Sequence, residues 1–284
     1  MTSPVGPDDA GRSRRGVKAA LGRSARAALR PFGYELLRAA AGDGTGGADE
    51  PVPPDFTEAD IELFRSVQPY TLTSIERVVA LREAVRALVA AGTEGAMVEC
   101  GVWRGGSMLV VARTLCELGA TDRDLYLFDT FTTMPPPGDV DVDVFGHRMA
   151  DYYQDALAHP HYSYLPFDEV RALLVGTGYP EPRLHFVQGM VEETIPGAAP
   201  STIALCRLDT DLYASTAHEM RHLVPRLSEG GVLIIDDYGH LLGARLAVDE
   251  YLAEHRVPLL LNRIDWTGRL AVMTAAACQA VRRQ

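Results

Sequence analysis

Cysteine is scarce in this 284-residue chain. The four present, Cys100, Cys116, Cys206 and Cys278, lie far apart, with no C-x-x-C pair and no clustered histidine partner. That spacing excludes a disulfide framework and a zinc site, and it fits a reducing cytoplasm. No run of about 18 apolar residues occurs, so no membrane-spanning helix is expected. A G-x-S-x-G elbow is missing, which removes the usual α/β-hydrolase nucleophile. So is a G-x-x-x-x-G-K-[ST] loop, the cradle for a polyphosphate. Basic charge is short as well: 27 Lys and Arg stand against 38 Asp and Glu, a formal net charge of -11.

The charge is also unevenly placed. Residues 1–30 carry seven basic side chains, Arg12, Arg14, Arg15, Lys18, Arg23, Arg26 and Arg30, against Asp8 and Asp9. The other 254 residues therefore hold 20 basic and 36 acidic groups, a net of -16. A body so acidic repels phosphates, which argues against general nucleic-acid binding, and it suits a divalent cation wherever carboxylates cluster. With 47% hydrophobic residues the chain is too apolar to be disordered throughout. Residues 1–55 read as a basic extension. Its Ala/Arg-rich stretch, Arg15 to Ala41, suits a loosely docked terminal helix, or one resting on an anionic surface or a second subunit. The tract GDGTGGADEPVPPD that follows reads as a linker. Arg14-Arg15 has no apolar core or cleavage site behind it, so export is not expected. Residues 56–284 are expected to form the remaining domain, in a cytoplasmic homo-oligomer.

From Phe56 onward helix and strand signals alternate. Thr73-Ser-Ile-Glu76 fits a capping box ahead of Ile75, Val78, Leu81, Val85, Leu88 and Val89 at helical spacing, with Arg77, Arg82 and Arg86 on the polar side. Strands are expected at Ala96–Cys100, Leu125–Phe128, Leu184–Val187, Ile203–Leu208 and Val232–Ile235. Helices are expected over Ser107–Leu118, Asp168–Val175, the stretch around Met220–Leu227, and Leu241–His255. The long segment from Thr130 to Phe167, with Pro135, Pro136 and Pro137, reads as a functional loop, a lid or one that carries its own short helices. The last strand candidates, Pro258–Ile264 and Leu270–Thr274, have no helix between them and predict an antiparallel edge hairpin. The pattern implies an α/β fold: a mostly parallel sheet with helices on both faces.

In open α/β sheets ligands bind beyond the carboxyl ends of the strands, and five strand candidates end at or beside Glu99, Asp129, Gln188, Asp209 and Asp236. The first turn runs Glu99-Cys-Gly101-Val-Trp-Arg-Gly105-Gly106-Ser107. Its G-x-x-x-G-G spacing lacks the close first glycine pair of a dinucleotide site, so NAD is a poor fit. Glu99 would welcome an ammonium group and Asp129 a ribose diol, which together describe S-adenosylmethionine. The glycines alone are equally consistent with tight strand–helix packing. The second constellation is Asp209 with Asp236-Asp237: three carboxylates at neighbouring strand ends repel one another unless a cation, Mg²⁺ above all, lies between them. Taken singly, Asp236 or Asp237 reads as a helix cap, Asp209 as a solvated turn residue and Asp211 as a cap before Ala214. His218 and His222 read as surface residues, His159 and His161 as loop residues within reach of a substrate, and Cys100 and Cys206 as buried small hydrophobes.

At these residues the chain resembles the macrocin O-methyltransferase family, the sugar O-methyltransferases of macrolide and related antibiotic pathways. The stretches YTLTSIERVVAL (70–81), VECGVWRGGSM (98–108), LFDTFTTMPPP (127–137), FVQGMVEETIP (186–196), RLDTDLYAST (207–216), LVPRLSEGGVLIIDDYG (223–239) and RIDWTG (263–268) carry the resemblance, in the family's order. It implies a Rossmann-like class I methyltransferase fold with a seven-stranded sheet, using S-adenosylmethionine and Mg²⁺ on a glycosylated small-molecule acceptor. By the resemblance Asp209, Asp236 and Asp237 would hold the metal, and Asp209 would also be the base. Glu99, Gly101, Val102, Trp103, Gly105, Gly106 and Ser107 would line the methionine side, Asp129 the ribose, and Gln188 with Gly189 the adenine edge. Tyr70, Met134 and Tyr238 would face the acceptor. Leu212 stands where distantly similar catechol O-methyltransferases carry a lysine base, and Thr210 where the family's D-G-D-L-Y motif has glycine. A phenolic or other vicinal-diol acceptor, metal-dependent phosphoryl transfer or hydrolysis, and a binding protein that keeps the fold are the rival readings.

Overall fold

Five aliphatic runs separated by helical sequence build the centre of the sheet. They are β1 (Ala96–Cys100), β2 (Leu125–Asp129), β3 (Leu184–Gln188), β4 (Ile203–Leu208) and β5 (Leu227–Ile235), paired in parallel. The computed structural model describes residues 53–159 and 163–283, all within the unit Ala48–Gln284. The basic stretch Arg15–Ala41, most of the linker and His161 lie outside the described residues. Strands β1 and β4 are buried at every position, as parallel strands covered on both faces must be. A short β6 (Asn262–Arg263) and β7 (Arg269–Val272) complete the expected antiparallel edge, giving the order β3-β2-β1-β4-β5-β7-β6. Succession in the chain reverses between β1 and β4, and a ligand crevice forms at such a switch point.

Alternation along the strands divides the core in two. Met97, Leu125, Leu127, Leu205 and Ile234 face one layer, made by α1 (Glu58–Val67), α2 (Ile75–Ala90), α3 (Gly106–Glu117) and, beyond α4 (Met149–Ala158), α5 (Phe167–Val175). Val98, Phe128, Cys206 and Leu233 face the other, which contains α6 (Val191–Thr194), α7 (Tyr213–Leu223), α8 (Leu242–Glu254) and α9 (Ala275–Val281). Leu81, Val85 and Leu88 on α2 are buried, each stabilising the fold by roughly 1.5–3 kcal/mol relative to exposure.

Several local expectations are corrected. Ser74, not Thr73, caps α2, its hydroxyl accepting from the Arg77 amide. The capping box belongs instead to Thr57 and Asp60 at α1. Arg77 and Arg82 are not solvated: their side chains are 14% and 11% exposed and pair with Asp236 and Asp60. The long segment carries α4, in line with the expectation of a short helix of its own. The strand expected at Pro258–Ile264 shrinks to two residues, and the Ala-rich α9, capped by Thr274, follows the final strand.

One close approach fixes the switch point. Gly101, directly after β1, has φ +83, and a Cβ there would lie 1.9 Å from the Asp209 carbonyl oxygen. Gly92 has φ +64 but open space around it. Gly101→Ala is therefore expected to destabilise by roughly 2–5 kcal/mol, combining left-handed strain with overpacking, and Gly92→Ala by only about 1–2 kcal/mol. Urea denaturation followed by circular dichroism measures both, and equal losses would contradict the crowding at Gly101.

Candidate active site

Register places a charge opposite a charge in the middle of the buried sheet. Glu99 on β1 pairs with Arg207 on β4. Isolated in an apolar layer, either would be very costly, so each needs a partner. Arg207 donates from Nη1 to Glu99 Oε1 and Asp209 Oδ2, both at 2.6 Å, and from Nη2 to Asp236 Oδ1 at 2.5 Å. The second oxygen of Asp236 accepts from Arg77, whose Nε pairs with Asp265 at 2.9 Å. Asp265 also accepts from Ser74 Oγ at 2.8 Å. Two arginines thus bind the ends of β1, β4 and β5 to the start of α2 and to the turn before β7. Burial raises the Glu99 carboxyl to about 7; Arg207 and the Ser107 hydroxyl offset this only in part.

Beyond this network the chain turns sharply. Asp209, Asp211 and Asp237 each present a carboxylate oxygen, and the three oxygens lie within 4.8 Å of one another. Asp211 has φ +67, and the Leu212 amide donates to the Thr210 carbonyl at 2.7 Å. Burial, then the charge of Asp209, raises Asp211 to about 7 despite its hydrogen bond with Asp237. The expected set of Asp209, Asp236 and Asp237 is therefore only partly assembled. Asp236, 3% exposed, is turned to the arginines, and Asp211 completes the cluster. Successive residues at a strand end point to opposite sides, so Asp236 and Asp237 separate. Beneath the turn, Thr210 Oγ1 donates to Glu219 Oε1 at 3.0 Å. Glu219 on α7 is wholly buried, and its other oxygen has no partner among the described residues. The threonine in the glycine position thus gains a buried anchor.

The glycine-rich turn is held by Asp129. Its Oδ2 accepts from the Val102 and Trp103 amides at 2.6 and 2.7 Å, and its Oδ1 from Phe131 at 2.7 Å. A carboxylate expected to meet a ribose here clamps three backbone amides. Packing already requires a glycine at Gly106, because a Cβ there would lie 2.5 Å from the Tyr70 carbonyl oxygen. Gly105, with φ +87, starts α3. Arg104 stacks on Trp103 and donates to Ser163 Oγ at 2.8 Å and to its carbonyl at 2.9 Å, bringing the end of the long segment over the turn.

A crevice open to solvent lies between these parts. Of the expected residues, Gly101, Asp129, Gly189, Met134 and Asp209 line it. Asp211, Thr210, Glu192, Ser215 and Tyr164 join them. Burial and the charges of Asp129, Asp211 and Asp209 raise the Tyr164 hydroxyl. Glu99, Val102, Trp103, Gly105, Gly106, Ser107 and Asp237 are not part of the lining. Gln188 donates to the Thr130 carbonyl at 3.2 Å, pinning the start of the long segment. Tyr238 donates to Asp249 at 2.7 Å, its ring flanked by Arg245 and Arg269. Tyr70 packs at the edge of the core. His218 is half-buried, bonded to the Ile195 carbonyl. Arg207 was the legible omission, as a lone cation in IALCRL whose partner had to come from the acid in AMVEC.

Residues 60–271 match the model of the family described as macrocin O-methyltransferase (TylF). The chain belongs to this family. A tetracenomycin 4'-O-methyltransferase of Streptomyces olivaceus, whose name specifies a 2,3-dimethoxy-alpha-L-rhamnosyl substrate, is 34% identical over 214 residues, 75% of this chain and 78% of that one. Demethyldecarbamoylnovobiocin O-methyltransferase of Streptomyces niveus is 30% identical over 199 residues, 70% and 74% of the two chains. The solved structure of the O-methyltransferase NovP superposes with a TM-score of 0.64 at 30% identity, covering 72% of this chain and 82% of that one. The protein is accordingly a Rossmann-like O-methyltransferase of the S-adenosylmethionine-dependent class. Among the described residues no helix is long and apolar enough to cross a membrane.

The raised Glu99 carboxyl makes a signed prediction. Its value rises from 4.5 to about 7 in the folded protein, so between these pH values the folded state retains a proton that the unfolded chain has lost. Stability contributed by this group is present below pH 4.5 and is lost as pH rises towards 7. Glu99→Gln removes the proton exchange. The wild type should lose stability relative to this variant from pH 5 to 7 in urea midpoints, and parallel profiles would refute the assignment.

Proposed function

We propose that the protein methylates a sugar hydroxyl of a glycosylated small molecule, with Mg²⁺ held by Asp209, Asp237 and Asp211. The observation that carries this reading is the carboxylate cluster at the ends of β4 and β5, beside the crevice. Its hard oxygen donors suit the metal: ligands held at about 2.1 Å from Mg²⁺ lie roughly 3–4 Å from one another, close to the spacing present. The rhamnosyl substrate named for the Streptomyces olivaceus relative, and a mycinamicin III 3''-O-methyltransferase of Micromonospora griseorubida that is 29% identical over 199 residues, support the sugar acceptor.

The crevice suits S-adenosylmethionine. Glu192, at its wall, has a buried carboxylate oxygen without a partner among the described residues, free to accept from the exocyclic amine of an adenine. S-adenosylmethionine supplies the methyl group on a sulfonium, and Mg²⁺ the charge that lowers the pKa of a nearby hydroxyl. The chain supplies orientation and a base. Asp209 is the group placed to take the hydroxyl proton, its carboxyl raised by burial and by Asp236, Asp237 and Glu99 against the opposing effect of Arg207. Arg207, at 2.6 Å, fixes the direction of that carboxylate, and Thr210 anchors the turn that carries it. Leu212 offers no competing base.

Two measurements test this reading. Asp209→Asn is expected to bind S-adenosylmethionine in calorimetry nearly as the wild type does, while transfer to a glycoside library, read as the mass gain of one methyl, falls about 10²–10⁴-fold. Full activity would remove the base, and failure of the wild type to bind S-adenosylmethionine would remove the proposal. EDTA should abolish transfer and Mg²⁺ restore it. Asp211→Asn should weaken Mn²⁺ binding more than Asp236→Asn, and the reverse order would return Asp236 to the metal.

A further inference from the structure

The exposed apolar side chains of this protein are not scattered. Among the described residues eleven large hydrophobic side chains are exposed, and four of them, Val144, Phe145, Leu242 and Trp266, lie on segments that meet around His240. Three segments build this rim. The Val144 amide donates to the His240 carbonyl at 2.9 Å and the Leu242 amide to Val142 at 2.8 Å, folding the long segment onto the chain after Asp237. The Gly239 amide donates to Thr267 at 2.8 Å, and a Cβ on Gly239 would lie 1.9 Å from the Trp266 carbonyl oxygen, so the turn before β7 presses against the same place. Three rings are thereby gathered, with His240 5.0 Å from Trp266 and 6.5 Å from Phe145 between centroids. Phe145 is 71% and Trp266 51% exposed. Apolar surface concentrated in this way marks a binding site more often than it marks chance.

Its position in the sheet indicates what binds. The His240 amide donates to the Asp237 carbonyl at 3.0 Å, so the rings begin immediately after the carboxylate cluster. The crevice draws its lining from the ends of β1, β2, β3 and β4, whereas the rings stand after β5 and before β7, on the other side of β4 from β1 in the strand order. In-line methyl transfer brings donor and acceptor to opposite sides of the moving carbon. With the donor in the crevice and the hydroxyl at the carboxylates, the remainder of the acceptor extends over the rings. We propose that Phe145, His240 and Trp266 form a subsite for a planar, apolar aglycone: the rings are inclined to one another by 53° and 66°, so such a group stacks on one ring face, that of the indole, and meets the others at an angle. The inference rests on the sugar-methylation reading for the direction in which the acceptor lies. A second copy seated on this rim would cover the approach to Asp237, which is why the small molecule is its occupant.

The chain has two tryptophans, Trp103 and Trp266, and Trp266 reports on the rim. The probe is 4-methylumbelliferyl α-L-rhamnoside, a sugar bearing a planar apolar group that accepts energy from tryptophan, with methyl α-L-rhamnoside as the comparison lacking it. The umbelliferyl glycoside should quench wild-type emission saturably, and calorimetry should show its Kd raised about tenfold in Trp266→Ala and Phe145→Ala. Affinity for S-adenosylmethionine and for the methyl glycoside should stay unchanged in both variants. Both side chains are largely exposed, so the variants should fold, and their thermal transitions check this. Absence of wild-type binding, equal affinity in wild type and variants, or equal loss for both glycosides would overturn the subsite. So would conversion of an oligomer to a monomer by Trp266→Ala, which assigns the rim to a second copy. Binding at the rim without methyl transfer would instead sink the sugar-methylation reading and leave the subsite standing. Methylation of both glycosides with no advantage for the umbelliferyl group would do the opposite.

Discussion

Arg207 is buried in the central strand of the sheet, and three acids from three strand ends depend on it. Removing a guanidinium from water costs several kcal/mol, and the hydrogen bonds to Glu99, Asp209 and Asp236 offset that cost only while all three stay in register. The constraint runs both ways. A shift of β1 against β4 by one residue would carry Glu99 to the other face of the sheet and leave the cation unmatched. Register at the switch point is thus enforced by charge as well as by the aliphatic faces.

The sharp turn after β4 follows from that arrangement. Asp209 leaves the strand with its side chain on Arg207 and its amide donating to the Cys100 carbonyl at 2.9 Å, over a glycine with no room for a side chain. Thr210 then ties the turn to Glu219 on α7, and Asp211 takes a left-handed conformation that aspartate tolerates better than most residues. Strand, turn and helix therefore fix the direction of two carboxylates independently of any ligand. Such preorganisation is what a site needs if its donors are to meet a reacting hydroxyl without first rearranging.

The sheet and its order of layers were legible because aliphatic alternation is a strong local signal, and the five central strands stand within a few residues of their expected places. The antiparallel edge was legible from the missing helix before Leu270, although Pro258–Leu261 form no strand. The site was legible as a set of strand ends but not as a set of contacts. Asp236 and Asp237 are neighbours in sequence and look equivalent, yet strand geometry sends one to Arg207 and Arg77 and the other to Asp211. Arg77 sits on the stripe of α2 that composition assigns to solvent, and only the fold shows that this stripe passes the end of β5. Asp129 and Gly106 were read from their residue types alone, and the backbone amides that Asp129 clamps and the Tyr70 segment packed on Gly106 are seen only in the fold. Separations of 26 to 159 residues between the long-range partners hid these pairings.

Charge balance connects the network to the chemistry. Glu99, Asp209, Asp211, Asp236, Asp237 and Asp265 face two arginines, so the acids outnumber the cations around one small volume. Such a surplus cannot remain fully ionised in a partly buried place: protons must be retained or a cation must enter. The raised carboxyls of Glu99 and Asp211, each at about 7, are the first outcome. The arginines pair directly with Asp236 and Asp265, which lie beneath the surface, and act on Asp211 and Asp237 only at longer range, too weakly to offset their burial and mutual repulsion. The division leaves the need for positive charge at Asp211 and Asp237, where the proposed Mg²⁺ would sit. Burial and the neighbouring acids raise the Asp209 carboxyl, which is the direction that increases its affinity for a proton and favours the proposed role as base.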